Sequence, residues 1–415
     1  MEIISLNVIS DIIIPVIFGV ILGTITGLIP GLHINLVSVI ILSLSTIANK
    51  FFPMETLFIT IICMGLTHTF LDFIPSTFLG VPSEETALSM LPAHEMVNKG
   101  EGVRAILLTL IGSLFSFVFC LMTIPFLIIF FPLISNFLSG KVGTFLLFII
   151  IFIMYIEHKN NNLNKSLLIF GLAGILGYFV LNSEIKEPLF PLLSGLFGTS
   201  MILSSIKNKS KIPPQRKLRF ELIKDLIETF KKKSIITSSF AGALTGFLPG
   251  IGAAQASIIG SVIAKDDEKE TYLVMQGGIN TVNFFISLIT LYTISKPRNG
   301  ALVVAQKLIN NVKIGFDFEF LMNTIIALVI TAVIATLLGV FISSKISQLV
   351  TKIDYMLMMK LILAFILITT ILLSGVNGLV ILVIASVIGT IAIKKNIAKH
   401  HCMACILVPV MLWTL

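Results

Sequence analysis

GTITGLIPGLHINLVSVI at residues 23–40 and GALTGFLPGIGAAQASII at residues 242–259 are two copies of one pattern. With Pro30 set on Pro249, Gly23 falls on Gly242, Thr26 on Thr245, Gly27 on Gly246, Gly31 on Gly250 and Ser38 on Ser257. The copies stand 219 positions apart, Pro30 to Pro249, about half of a 415-residue chain. Proline inside a helix removes a backbone donor and clashes with the preceding turn, and the glycine beside it permits a sharp change of direction. Each copy therefore reads as a broken helical hairpin, over about 8–48 and 234–264.

The medium around these hairpins follows from composition. Hydrophobic residues make up 56% of the chain and charged residues 12%, against about 25% charged in an ordinary soluble protein. The mean hydropathy is +1.03. Too few polar residues exist to cover a soluble fold of this size, so the outer surface must face lipid. Apolar runs at about 55–80, 104–131, 142–158, 166–182, 187–205, 272–295, 318–343, 355–374 and 376–393 are near the ~20 residues a helix needs to cross. They do not alternate, which excludes a β-barrel. The sequence thus predicts an all-α polytopic membrane protein of about 9–12 membrane segments. The N-terminus lacks the basic start of a signal peptide and is expected to stay as membrane structure.

The formal net charge is +8, but the basic residues sit in short loops, which excludes nucleic acid as the partner. Residues 206–233 hold ten Lys or Arg against Glu221, Asp225 and Glu228. They read as a cytoplasmic linker with an amphipathic helix at about 218–231, joining a first repeat (1–205) to a second (234–415). Counting outward, with each hairpin returning to its own side, places 81–103, 158–165, 265–271 and 344–354 inside. The N-terminus, 183–186 and 296–317 then lie outside. The hairpins enter from opposite sides, so the two repeats are expected to be inverted.

In lipid, backbone groups freed by such breaks must be satisfied within protein or line a wet cavity. Helix N-terminal amides attract anions and C-terminal carbonyls attract cations. Pro30, Gly31 and Asn35 at the first break, and Pro249, Gly250, Gly252 and Gln255 at the second, are therefore candidate substrate- or ion-binding residues. Asn280, Thr281 and Asn283 follow the second hairpin, while Thr67, His68, Thr69 and Asp72 follow the first. Asp72 is the sharpest of them, because a carboxylate in an apolar span is costly. Each also has a plainer reading. Amide and hydroxyl side chains hydrogen-bond neighbouring helices, and Gly23, Gly27, Gly242 and Gly246 form small faces for close packing. The segment 80–104 either dips back beside the site, bringing Ser83 and Thr86, or forms a solvated loop. Cys63 and Cys120 read as buried thiols, and Cys402 and Cys405 form a C-x-x-C behind His400 and His401, with no second ligand pair for a metal. Residues 402–415 are compatible with a span or an interfacial segment.

The doubled G-x-x-x-G-x-x-P-G pattern resembles the TctA family, the large membrane subunit of the tripartite tricarboxylate transporters. Val81-Pro82-Ser83, Thr86-Ala87-Leu88 and Lys99-Gly100 are similar to a second signature of that family, with Lys296-Pro297-Arg298-Asn299-Gly300-Ala301-Leu302 as its counterpart in the other half. Ser83 and Arg298 stand where the family favours glycine, and the chain looks like a shorter, divergent member. The resemblance implies ion-gradient-driven uptake of small organic anions such as di- or tricarboxylates, with Na+ or H+ as coupling ion and no other cofactor. It also implies a cell-membrane location, a small membrane subunit and an extracytoplasmic binding protein, and an oligomer is compatible with it. A channel is the alternative, and an intramembrane enzyme a more distant one, since no H-E-x-x-H, G-x-S-x-G or paired-Asp motif occurs in the spans.

Overall fold

The structure, a computed structural model, describes every residue except 1–11, 30, 31, 33, 82–85, 139, 140, 160, 161, 208–212, 248–252, 265–267, 298, 312–314, 351–354, 396 and 398. Most of the described residues are helical, and none of them is in a strand. Six of the helical segments are long and apolar enough to cross a bilayer. The protein is a multi-pass helical membrane protein.

The first half runs α1 (Ile14–Leu28), α2 (Ile34–Ala48), α3 (Met54–Leu71), α4 (Phe73–Leu79), α5 (Met90–Val97) and α6 (Gly102–Leu138). It continues through α7 (Val142–Lys159), α8 (Leu163–Leu181), α9 (Leu189–Leu193), a π-helical turn at Ser194–Thr199, and α10 (Ser200–Lys207). The amphipathic connector is α11 (Phe220–Thr229). The second half has α12 (Lys232–Phe247), α13 (Ala253–Ala264), α14 (Lys269–Ile294), α15 (Gly300–Asn311), α16 (Phe318–Val350), α17 (Tyr355–Lys394) and α18 (Ala404–Thr414). The element order α1–α2–α3/α4–α5–α6 thus recurs as α12–α13–α14–α15–α16.

Local chemistry explains the interruptions. Pro75 cannot donate to the Leu71 carbonyl, so the helix breaks between α3 and α4 with Asp72 at the joint. Inside α17, Gly375 adopts φ 66°, ψ −167° and splits the helix where the apolar runs 355–374 and 376–393 meet.

Contacts give the helix directions. Gly19 of α1 faces Thr60 and Cys63, Gly23 faces Met64 and Thr67, and Gly27 faces His68 and Leu71, so α1 and α3 run parallel. In the same way Gly242 of α12 faces Ile279 and Val282 of α14, and Thr245 reaches Asn283. The helix between each parallel pair therefore runs back as a hairpin. The Phe18 and Phe52 rings, 6.0 Å apart, close the open end of the first. Lys233 Nζ, donating to the Ala264 carbonyl at 2.7 Å, closes the second.

The centre of the bundle is α3/α4 and α14, both almost wholly buried. Gly65 lies against the Phe284 ring, Thr69 beside Thr281, and Asp72 beside Asn280, so these two helices cross antiparallel. Each is flanked by a long helix of the other half running parallel to it. Against α14, α6 places Thr109 at Gly277, Ser116 at Gly278 and Phe117 at Phe285. Against α3, α16 places Phe320 at Phe58 and Thr331 at Cys63. Large side chains such as Met122, Phe126, Leu337, Leu372 and Val376 point outward, as lipid requires.

One end of the bundle gathers the loops that the charge count puts together. Arg104 pairs with Glu270, Arg216 with Glu101 and Lys231 with Glu268, each at 2.9 Å, and Lys269 pairs with Glu95. The linker is pinned here: Gly102 N–H donates to Gln215 Oε1 and Arg216 N–H to the Gly100 carbonyl, both at 2.8 Å. The C-terminal segment packs against α7 and α8, with His401 at Glu157 of α7, Cys405 at Gly177 and Val408 at Gly174 of α8, and Trp413 at Asn182.

The α6–α14 seam depends on missing side chains. A Cβ on Gly112 would strike the Val274 carbonyl, and one on Gly277 the Thr109 carbonyl, whereas Gly171 has open space. Gly112→Ala and Gly277→Ala are expected to destabilise by about 1–3 kcal/mol, while Gly171→Ala is neutral. Thermal melts of the purified protein, read by monodispersity, check this ordering.

Candidate functional site

The polar side chains of the spans meet where α3 and α14 cross. Asp72, exposed by the α3/α4 break and yet only 5% accessible, accepts a hydrogen bond from Asn280 Nδ2 at 2.9 Å. The same Nδ2 lies 3.4 Å from the Thr69 carbonyl. Thr69 Oγ1 and Thr281 Oγ1 are 3.3 Å apart, which makes a second polar link across the crossing. One turn before Asp72, His68 places Nε2 4.0 Å from its Oδ2. Nδ1 of the same ring lies 3.2 Å from Thr26 Oγ1 on the first hairpin.

The second half repeats part of this frame. Segments Met54–Leu79 and Lys269–Ile294 are both 26 residues long, so aligning their starts sets His68 on Asn283 and Asp72 on Ser287. Thr245, the counterpart of Thr26, donates to Asn283 Oδ1 at 2.6 Å. Each hairpin thus touches the following span through the same hydroxyl at the same register. Ser287 Oγ accepts the Asn299 N–H at 2.8 Å, and Ser257 of the second hairpin donates to Gln276 Oε1 at 2.7 Å.

Of the residues expected from sequence, the structure brings together Asp72, Asn280 and Thr281, with Asn283 half-buried one turn along α14. Thr86 is wholly buried between α4 and α5, where its carbonyl accepts from Ser89 Oγ at 2.8 Å. Asn35 sits apart, exposed at the start of α2, and its amide packs on Gly300 at the start of α15. Pro30, Gly31, Ser83, Pro249, Gly250 and Gly252 lie outside the described residues, as does the side chain of Gln255. Thr26, Thr245, Ser257 and Gln276 were missed as site residues. The first three stand in the repeated pattern itself, so the repeat was the signal that could have found them.

Around this centre the neighbouring groups are settled. His94 of α5 is buried against the Thr77 carbonyl at 3.3 Å; burial holds its pKa below the ordinary histidine value, and that bond works the other way. Cys402 and Cys405 are buried, and no group of three metal-ligating side chains occurs among the described residues.

A bundle sheathed in apolar side chains, with a carboxylate, an imidazole and amides buried at the crossing of its central helices, belongs to the class of multi-pass membrane proteins with a polar interior site. Residues 13–404 match the tripartite tricarboxylate transporter TctA family. The chain belongs to that family, which is a family of transporter components and not of enzymes. It is also similar to an uncharacterized protein of Methanocaldococcus jannaschii, 31% identical over 385 residues, covering 90% of this chain and 93% of that one. No solved structure matches it.

Asn280 is the donor that joins Asp72 to the opposite half. Asn280→Leu keeps the volume and removes the donor, and is expected to cost about 1–3 kcal/mol of stability. A melting temperature equal to wild type, measured in the same detergent, would refute the bond's contribution.

Proposed function

We propose that the protein is an ion-gradient-coupled secondary transporter of small organic anions, di- or tricarboxylates, working by alternating access. One observation carries the reading: two hairpins touch the central spans through matched hydroxyls, Thr26 to His68 and Thr245 to Asn283, and those spans cross antiparallel. Equivalent helices that run antiparallel are what inverted repeats produce, and inverted repeats with discontinuous helices are a common transporter plan. In this reading residues 1–205 and 234–415 are the repeats and 206–233 is the linker. The two Pro-Gly breaks of the sequence, with Pro30, Gly31 and Asn35 in one and Pro249, Gly250, Gly252 and Gln255 in the other, are the candidate positions for binding the carboxylate groups. Asn280, Thr281 and Asn283 supply amide and hydroxyl groups at the crossing, and Ser83 and Thr86 are further candidates from the sequence.

The family's tripartite description supports partners for this chain, namely a small membrane subunit and an extracytoplasmic binding protein. Such a protein would deliver solute to the outer side of the hairpins.

The test is uptake of labelled citrate, with smaller dicarboxylates in parallel, into proteoliposomes carrying an imposed ion gradient. Saturable, gradient-dependent accumulation is expected. Asn283→Ala and Pro249→Ala are expected to abolish it while leaving expression and membrane insertion intact. Full transport in both variants would remove the hairpin–span contact from the mechanism.

A further inference from the structure

The polar frame at the α3–α14 crossing has the same plan in both halves and different chemistry. Where the second half has Asn283 and Ser287, the first has His68 and Asp72. The second-half pair holds its neighbours with a neutral amide and a hydroxyl: Thr245 bonds to Asn283, and the Asn299 N–H to Ser287. Neutral groups therefore suffice to build the frame. The first half instead carries two titratable side chains in these places, at 6% and 5% accessibility, in the interior of a membrane protein. A fixed charge there is expensive, and such residues mark ion and proton pathways.

The pair is also placed to act on both halves. Asp72 sits at the α3/α4 joint and bonds to Asn280 of α14, while His68 bridges to Thr26 of the first hairpin. A line of side chains, Thr26–His68–Asp72–Asn280, runs from the first hairpin into the second repeat. Other titratable or charged groups stand off from it among the described residues. His94 of α5 faces Thr77 further along α4, and Arg104 of α6 is paired with Glu270 of α14 at the bundle end. On α15 and α16, Lys307, Glu319 and Lys345 lie nearer helix ends, and α1, α2 and α4 carry no ionisable side chain.

We propose that Asp72, with His68 beside it, is a proton-binding site, and that H+ rather than Na+ is the ion this transporter couples to. The coupling, though not the proton binding, rests on the transporter reading above. An O–H bond forms on the Asp72 carboxylate when a proton enters from one side and breaks when it leaves to the other; nothing is oxidised or reduced. His68 Nε2, 4.0 Å away, is the adjacent group through which the proton moves. Like charges oppose each other at short range, so an anionic solute at hairpins in contact with His68 is accepted more readily once Asp72 is neutral. Solute and proton then bind together.

Infrared difference spectra of the purified protein in lipid nanodiscs, recorded through a pH titration with no solute and with or without Na+, test the site directly. Wild type is expected to show a protonated-carboxyl band that appears on acidification. The band should be lost in Asp72→Asn and retained at a shifted frequency in Asp72→Glu. Asn280→Ala, which leaves the acid in place, should move its midpoint and serves if Asp72→Asn does not fold. A wild-type spectrum without such a band, a band that survives Asp72→Asn, or a midpoint indifferent to Asn280→Ala overturns the site. A midpoint that shifts with Na+ at constant ionic strength overturns the choice of ion. In proteoliposomes, citrate entry should carry protons inward, read by a trapped pH dye, and sodium-driven uptake without proton flux refutes the coupling. Absence of any carboxylate transport by wild type counts against the transporter reading alone, because the infrared titration does not need it.

Discussion

Polar groups inside a bilayer must be paired within the protein, since an unsatisfied one costs several kcal/mol where no water can compensate. This chain concentrates that demand on one pair of helices. Asn280 serves Asp72, Thr69 stands against Thr281, and the hairpin hydroxyls of Thr26 and Thr245 turn inward to His68 and Asn283. The rest of the bundle isolates this pair from lipid. On α1, Gly19, Gly23 and Gly27 let that helix lie close on α3, and Gly112 with Gly277 does the same for α6 and α14. Outside this shell the side chains are large and apolar, as at Phe126 and Leu337.

Much of the architecture was legible because it follows from composition and local backbone rules. Apolar length marked α6, α8, α14 and α16, and the split of α17 showed as two runs meeting at Gly375. Within the basic stretch 206–233, the amphipathic helix expected at about 218–231 appears as α11. The register of the repeat was also readable, since identities between 23–40 and 242–259 put Thr26 and Thr245 at the same place.

What could not be read is how one half docks on the other. Asp72 and Asn280 are far apart in sequence, and although the charge count sets α3 and α14 in opposite directions, nothing local says that they cross with those two side chains level. The path of the C-terminus was hidden for a related reason. Residues 401–414 are short for a span, and their packing against α7 and α8 rests on tertiary contacts such as His401–Glu157 and Trp413–Asn182. The place of Asn35 was hidden in the same way, since its packing on Gly300 of α15 joins two segments far apart in sequence.

The two kinds of contact differ in what they permit. Glycine seams bring backbones together over several turns, and sliding them would drive carbonyls into one another. They therefore bind α1 to α3, and α6 to α14, as units. Between those units the α3–α14 crossing is held by a few side-chain hydrogen bonds, each worth about 1 kcal/mol net and able to re-form with new partners. Under alternating access, motion is easiest at that polar crossing, and the crossing is also where the first repeat carries its titratable pair. A change of charge on Asp72 alters the polar joint between the α1/α3 unit and the α6/α14 unit. The asymmetry of His68 and Asp72 against Asn283 and Ser287 thereby gives an otherwise repeated frame a direction.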